Sequence, residues 1–180
     1  SKTLDDNSPT RTDKKDVRVI ARQVKDGRYS EPNILEGSYA ELRVAMTHRE
    51  RLNKDLMRIK GKIHQWLDKY FPEFLDVFSS WEGKAALSTL KEIPLPNQVI
   101  DLEIEEIVKV FKKGAKRAVG KKRAKKLKNA AKRTIGTTKG IKMAKLELKN
   151  LLVQYDILTE QKEDLENEVK ELIKDIPGAK

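Results

Sequence analysis

Two heptad seams of matched length, separated by an insert, constrain this chain more than any other feature. From Ser38 to Tyr70 the residues Leu42, Ala45, Arg49, Leu52, Leu56, Ile59, Ile63, Trp66 and Tyr70 alternate spacings of three and four. A second seam runs through Ile141, Ala144, Leu148, Leu151, Tyr155, Leu158, Lys162, Leu165, Val169, Leu172 and Ile176. That alternation keeps one stripe of a helix facing a partner helix, and a single polar residue in it fixes register or oligomer state at a cost in stability. Arg49 and Lys162 are those interruptions. Each seam predicts a helix about 50 Å long at ~1.5 Å per residue. Two such helices in one chain pair with each other, and the insert must return the chain to the end it left, so the pair is antiparallel. Ser38, with Glu41 three residues on, is the expected cap of the first helix, and Pro72 its stop.

The insert reads as helical too. A short amphipathic piece spans Trp81 to Leu90 and stops at Pro94-Leu95-Pro96. Two helices are expected near Leu102 to Lys113 and Gly120 to Ile135, with Gly114, Gly120, Gly136 and Gly140 as punctuation. Trp66, Tyr70, Phe71, Phe74 and Phe78 recur at helical spacing where the first long helix ends, and are expected to form a core beneath the tip. The fold class is therefore all-α: a coiled-coil domain over 35–180 whose long helices, about 38–71 and 138–175, carry a helical insert, 72–137, at their tip.

Charge locates a surface. The formal charge is +11, and 37% of residues are charged. From Ile107 to Leu146 there is no Asp or Glu, whereas the same stretch holds 16 of the 39 Lys and Arg, leaving 23 basic against 28 acidic residues elsewhere. A charge run is usually a solvated helix face, but a solubilising surface does not partition charge in this way, and a surface that meets phosphates does. The candidates for that contact are Lys112, Lys113, Lys116, Arg117, Lys121, Lys122, Arg123, Lys125, Lys126, Lys128, Lys132 and Arg133, around the small apolar side Ala118, Ala124, Leu127, Ala130 and Ala131. Val119-Gly120 followed by Ala124 and Leu127 is similar to the second half of a helix-hairpin-helix, whose glycine turn presents amides to phosphate. Phe111 is the one aromatic in the stretch, so base stacking is not expected and contacts should go to backbone phosphates.

Several classes are excluded. The chain has no cysteine, hence no disulfide framework and no thiolate metal site. No apolar run approaches the roughly 18 to 20 residues of a membrane span, and the start of the chain is polar rather than a signal peptide. His48 and His64 lie far apart with no zinc spacing, and read as structural residues. A cytoplasmic, soluble protein is expected.

Ahead of the coiled coil, Lys2 to Pro9 reads as a loop, and a helix is expected from Thr12 to Asp26, with Val17, Ile20, Ala21 and Val24 on one face and Gly27 at its end. Asp13 and Asp16, three apart, share a face and could share a hard cation, although such a pair near a helix start is more often a solvated first turn favoured by the helix dipole.

The stretch Thr12 to Ala21 resembles the signature that closes the RuvC-like domain of the DEDD insertion-sequence transposases, with Val17 where alanine is usual. The similarity continues through Gly27, Pro32, Leu42-Arg43, Phe71-Pro72-Glu73, Leu95-Pro96, Gly120 with Lys121 to Leu127, Ala130-Ala131 and Ile135-Gly136. It implies that 1–34 ends a RuvC-like catalytic domain, that Asp13 and Asp16 are catalytic residues that bind Mg2+, and that the other two acids and a serine-bearing domain lie outside this chain. It further implies DNA and a structured guide RNA as partners, in a prokaryotic, nucleoid-associated setting. A homo-oligomer through the coiled coil is expected, with neither a membrane nor a small-molecule substrate. The chain is expected to be the nucleic-acid-binding and assembly region of a transposase, inactive by itself and without tightly bound Mg2+. The alternative is a non-catalytic coiled-coil scaffold whose basic tip binds acidic protein or membrane surfaces.

Overall fold

The computed structural model describes residues 37–115 and 120–174, and among them every element of secondary structure is a helix. The expected Thr12–Asp26 helix lies outside the described residues, and with it Asp13 and Asp16; Lys116 and Arg117 lie outside them as well. The chain divides into two units, 1–41 and 42–180, and the architecture below is that of the second. Its helices are α1 (Ser38–Tyr70, whose first turn belongs to the other unit), α2 (Phe74–Val77), α3 (Lys84–Glu92), α4 (Pro96–Asp101), α5 (Ile104–Gly114), α6 (Lys121–Lys132) and α7 (Ile141–Lys174).

Both long helices start at a glycine in the left-handed region, Gly37 at φ 59° and Gly140 at φ 68°, a conformation that costs a residue without Cβ little. The Gly37 carbonyl accepts the amides of Ala40 and Glu41, so α1 is entered one residue before the expected cap at Ser38. At the other end Pro72 has no amide to continue the ladder, and Phe71 makes the last helical bond, to the Leu67 carbonyl at 2.8 Å.

The long helices run antiparallel, as the matched seams require. Near the insert the Trp66 indole donates to the Ala144 carbonyl at 2.8 Å, while toward the far end Arg49 faces Glu166 at 3.9 Å. Between these points the expected seam residues are inward. Ile59 and Ile63 are buried in one cluster with Leu148 and Leu151, Leu52 and Leu56 are buried farther along α1, and Tyr155 and Leu158 are partly buried. Farther out the closure loosens, and Leu165, Val169 and Leu172 are only half-buried.

Leu67 and Leu152 are also buried, although neither is a seam position. The insert explains both, because it does more than cap the tip: it folds back along one flank of the pair. Lys91 of α3 bonds Asp156 of α7 at 2.6 Å. Ahead of α3, Trp81 stands edge-on to Tyr155 with ring centres 5.0 Å apart, and beside His64. Glu82 accepts the Tyr155 hydroxyl at 2.8 Å and Lys60 at 2.7 Å. Burial by itself would raise the Glu82 carboxyl, but hydrogen bonds from Lys60 and Tyr155, aided by His64, hold it below the usual carboxylate range. Burial, then Glu82, pushes the Tyr155 hydroxyl up to about 12. The opposite flank is an open groove between Asp55, Arg58, Ile59 and Lys62 of α1 and Gln154, Ile157, Leu158 and Gln161 of α7.

The aromatic cluster forms the core beneath the tip, as expected. Phe71, Phe74, Phe78 and Phe111 follow one another at centroid distances of 5.6, 4.8 and 5.6 Å, with Trp66 and Tyr70 paired alongside at 5.1 Å. The returning chain is pressed on the end of α1. A Cβ at Gly136 would strike the Tyr70 carbonyl, the Thr137 amide donates to the Lys69 carbonyl at 2.9 Å, and the Ile135 amide donates to Glu73 at 2.9 Å.

Candidate nucleic-acid interface

The basic stretch folds into α5, α6 and their connections. α6 has no β-branched residue and, apart from Asn129, is made of lysine, arginine, alanine and leucine, good helix formers. Its small face, Ala124, Leu127, Ala130 and Ala131, is buried and packs on α2, α4 and α5. Small side chains let the helices approach closely, and every cation of α6 is thereby turned toward a flank or toward solvent.

The flanks hold more of the cations than the sequence suggests. Lys121 bonds Glu105 at 2.7 Å, Lys113 bonds Glu92 at 2.7 Å and Arg133 bonds Asp76 at 3.0 Å. Lys126 donates to the Asp76 carbonyl and Lys128 to the Leu102 carbonyl, each at 2.5 Å, where short helices end and cations are favoured by the dipole. The Arg123 guanidinium lies over the Phe78 ring, 5.8 Å from its centre. Lys121, first through its hydrogen bond, holds the Glu105 carboxyl below its ordinary value, with Lys125 adding to the field.

What remains is ordered. Lys122, Lys125 and Lys132 are exposed and have no hydrogen-bond or ion-pair partner among the described residues. With Asn129 they follow spacings of three, four and three, so they lie on one stripe opposite the buried alanines, about 15 Å long at ~1.5 Å per residue. Lys112, exposed on α5, has no such partner either. Of the twelve cations singled out from the sequence, the structure therefore brings Lys122, Lys125 and Lys132 into one solvent-facing row. It holds Lys113, Lys121, Lys126, Lys128 and Arg133 against the fold and sets Arg123 on an aromatic face. Asn129, a polar amide inside the row, was missed because a search for charge passes over it, yet its helical spacing from Lys125 and Lys132 places it there.

Of the stretch similar to a helix-hairpin-helix, Val119 lies outside the described residues. Gly120 precedes the first residue of α6 with extended backbone and no side-chain cap, leaving the first amides of α6 open. Among the described residues no group of three or more His, Asp or Glu could hold a metal ion. The expected Mg2+ ligands, Asp13 and Asp16, are outside them.

Residues 2–72 match the family model of the DEDD insertion-sequence transposases, described as transposase. The match covers about two fifths of the chain, includes Asp13 and Asp16, and ends at Pro72, where α1 has just stopped. That segment is similar to the transposase family. No curated protein and no solved structure matches the chain.

Proposed function

We propose that this chain is a nucleic-acid-binding and assembly region of an insertion-sequence transposase, and that it meets phosphate through the outward row of α6. The observation that carries the reading is the row itself, Lys122, Lys125, Asn129 and Lys132, in a stretch of forty residues without a carboxylate. An ordinary solvated helix face in this protein carries both signs: α7 alternates Lys162, Glu163, Asp164, Glu166 and Lys170. A row of one sign on a folded scaffold suits a ligand of regular negative charge, either duplex DNA or folded RNA, recognised mainly through its backbone.

The competing scaffold reading, with a membrane or acidic protein as the target, is less well supported. No apolar side chain interrupts the row, so there is nothing to enter a bilayer, and no described helix is long and apolar enough to cross one. Within the parent enzyme, Asp13 and Asp16 are proposed as two of the carboxylates that hold catalytic Mg2+. Two carboxylates supply few of the oxygens such an ion requires, so this chain alone should not cut DNA.

A mobility-shift titration of the chain with duplex DNA and with a folded RNA, repeated from low to moderate salt, tests the reading. Binding that weakens steeply with salt is expected. Absence of binding at low salt would remove the proposal. Equal binding to an acidic polypeptide at matched charge would favour the scaffold.

A further inference from the structure

α6 stops at Lys132, short of the end expected for it at Ile135, and the chain that follows holds one large apolar side chain outside the fold. Ile135 is 87% exposed, more than any other large hydrophobic among the described residues. Scattered exposed apolar residues need no explanation, and in a slack loop this one would need none. The backbone around it is not slack. The Ile135 amide donates to Glu73 at 2.9 Å and the Thr137 amide to the Lys69 carbonyl at 2.9 Å, while Gly136 between them lies so close to the Tyr70 carbonyl that a Cβ has no room. With its neighbours fixed to the end of α1, Ile135 is held out toward solvent. A β-branched side chain is stiff about χ1, so little freedom remains to be lost when something covers it.

The charge around Ile135 indicates what covers it. Lys132 before it and Lys139, Lys142 and Lys145 after it are exposed and have no hydrogen-bond or ion-pair partner among the described residues. Glu73, the carboxylate that meets this turn, has Oε1 on the Ile135 amide and Oε2 buried. A phosphate chain is thus drawn to cations on both sides of an apolar knob. A single isoleucine is too little to hold a bilayer. Three residues of chain keep the Ile135 Cα within about 11 Å of the Lys132 Cα. Phosphates of one DNA strand follow at about 3.4 Å of rise, so the two residues meet the same few base pairs.

We propose that Ile135 is a wedge that enters a base step of duplex DNA whose backbone is held by the α6 row. The wedge rests on the reading of that row and adds to it a contact with the bases. Apolar side chains of this kind part stacked base pairs and bend the duplex, and the bend brings more of the protein surface into contact. A step that is already loose costs less to open, so the wedge gives a surface that binds by charge a preference for deformable sites. Lys132 on one side, with Lys139, Lys142 and Lys145 on the other, neutralises the phosphates that flank the opened step.

The test compares two duplexes of the same length, one fully paired and one with a single central mismatch, each with 2-aminopurine beside the central pair. The chain should prefer the mismatched duplex by about tenfold, because part of the unstacking is already done. The 2-aminopurine should brighten on binding as it loses its stacking partner. Ile135→Ala should bind the two duplexes alike, without brightening, and keep the parental salt slope, whereas Ile135→Leu should restore the preference. Helicity by circular dichroism should be unchanged in both variants, since the side chain is already exposed. Equal binding of the two duplexes by the parent, or a preference that survives in Ile135→Ala, would overturn the wedge and leave the row standing. No binding to either duplex at low salt would remove the row and the wedge with it. A loss in Ile135→Ala confined to a folded RNA or to an acidic polypeptide of matched charge would assign the residue to that partner and overturn the proposal.

Discussion

The two ends of the helix pair handle positive charge differently. At the far end, Arg49 and Lys162 occupy seam positions and both face Glu166, each at 3.9 Å. Their charge is engaged by a carboxylate of the same fold in a half-exposed network. At the insert end, apolar and aromatic groups fill the interior, and Lys122, Lys125 and Lys132 stand outside it. Charge density in the sequence is thus a poor measure of a binding surface. A cation is available to a ligand when no carboxylate or carbonyl of its own chain already engages it, and by that criterion the candidates among the described residues reduce to a short row on α6 and Lys112.

The difference in packing between the ends gives the largest expected effect. Trp81 is 1% exposed and joins the insert to Tyr155 and His64, so Trp81→Ala should cost about 3–5 kcal/mol in urea unfolding. Leu165→Ala, at a half-buried seam position of the far end, should cost less than about half as much. Equal losses would mean that the far end is as closed as the near one. Next comes Gly136→Ala, whose new methyl meets the Tyr70 carbonyl. It should lower stability by about 1–3 kcal/mol, read as a drop in thermal midpoint, while Gly61→Ala, where nothing lies within 4 Å, should be neutral or stabilising.

The closure should also be legible in pH. Glu82 is held below its ordinary value of 4.5, so its contribution is complete above that pH and disappears as acid protonates it. Tyr155 is shifted the other way, to about 12. Its contribution is complete below pH ~10 and is lost as pH rises toward the folded value. Unfolding followed between pH 6 and 3 should show a smaller acid loss in Glu82→Gln than in the parent. An unchanged acid slope would separate Glu82 from the docking of the insert. The smallest effect belongs to the far end. Arg49→Met and Lys162→Met remove a half-exposed network and should change stability by less than about 1 kcal/mol.

Much of the fold was readable from the residues, and the reasons are local. A seam repeating every three and four residues leaves a helix no alternative face, and Pro72 and the glycine at 140 bound the long helices within a few residues. The aromatic core was readable because its spacing is helical and its members too large to leave outside. The insert's return along one flank was not, because it depends on contacts such as Lys91 with Asp156 and Trp81 with Tyr155, between residues more than sixty positions apart. The division of the cations was hidden for the same reason. Nothing local to Lys128 predicts that the Leu102 carbonyl will be within its reach. Asp13 and Asp16 stand on family resemblance and on the match over residues 2–72.

The measurement that tests the central claim most directly compares the salt dependence of duplex-DNA binding for two variants of equal charge. In one, Lys122, Lys125 and Lys132 are replaced by alanine; in the other, Lys54, Lys170 and Lys174, away from the insert, are replaced instead. The row variant should lose about one unit of log–log salt slope per lysine, with affinity falling alike across sequences, and the charge-matched variant should keep nearly the parental slope. Equal slopes for the two variants would contradict the account, since binding would then follow net charge and owe nothing to the order of the row on α6.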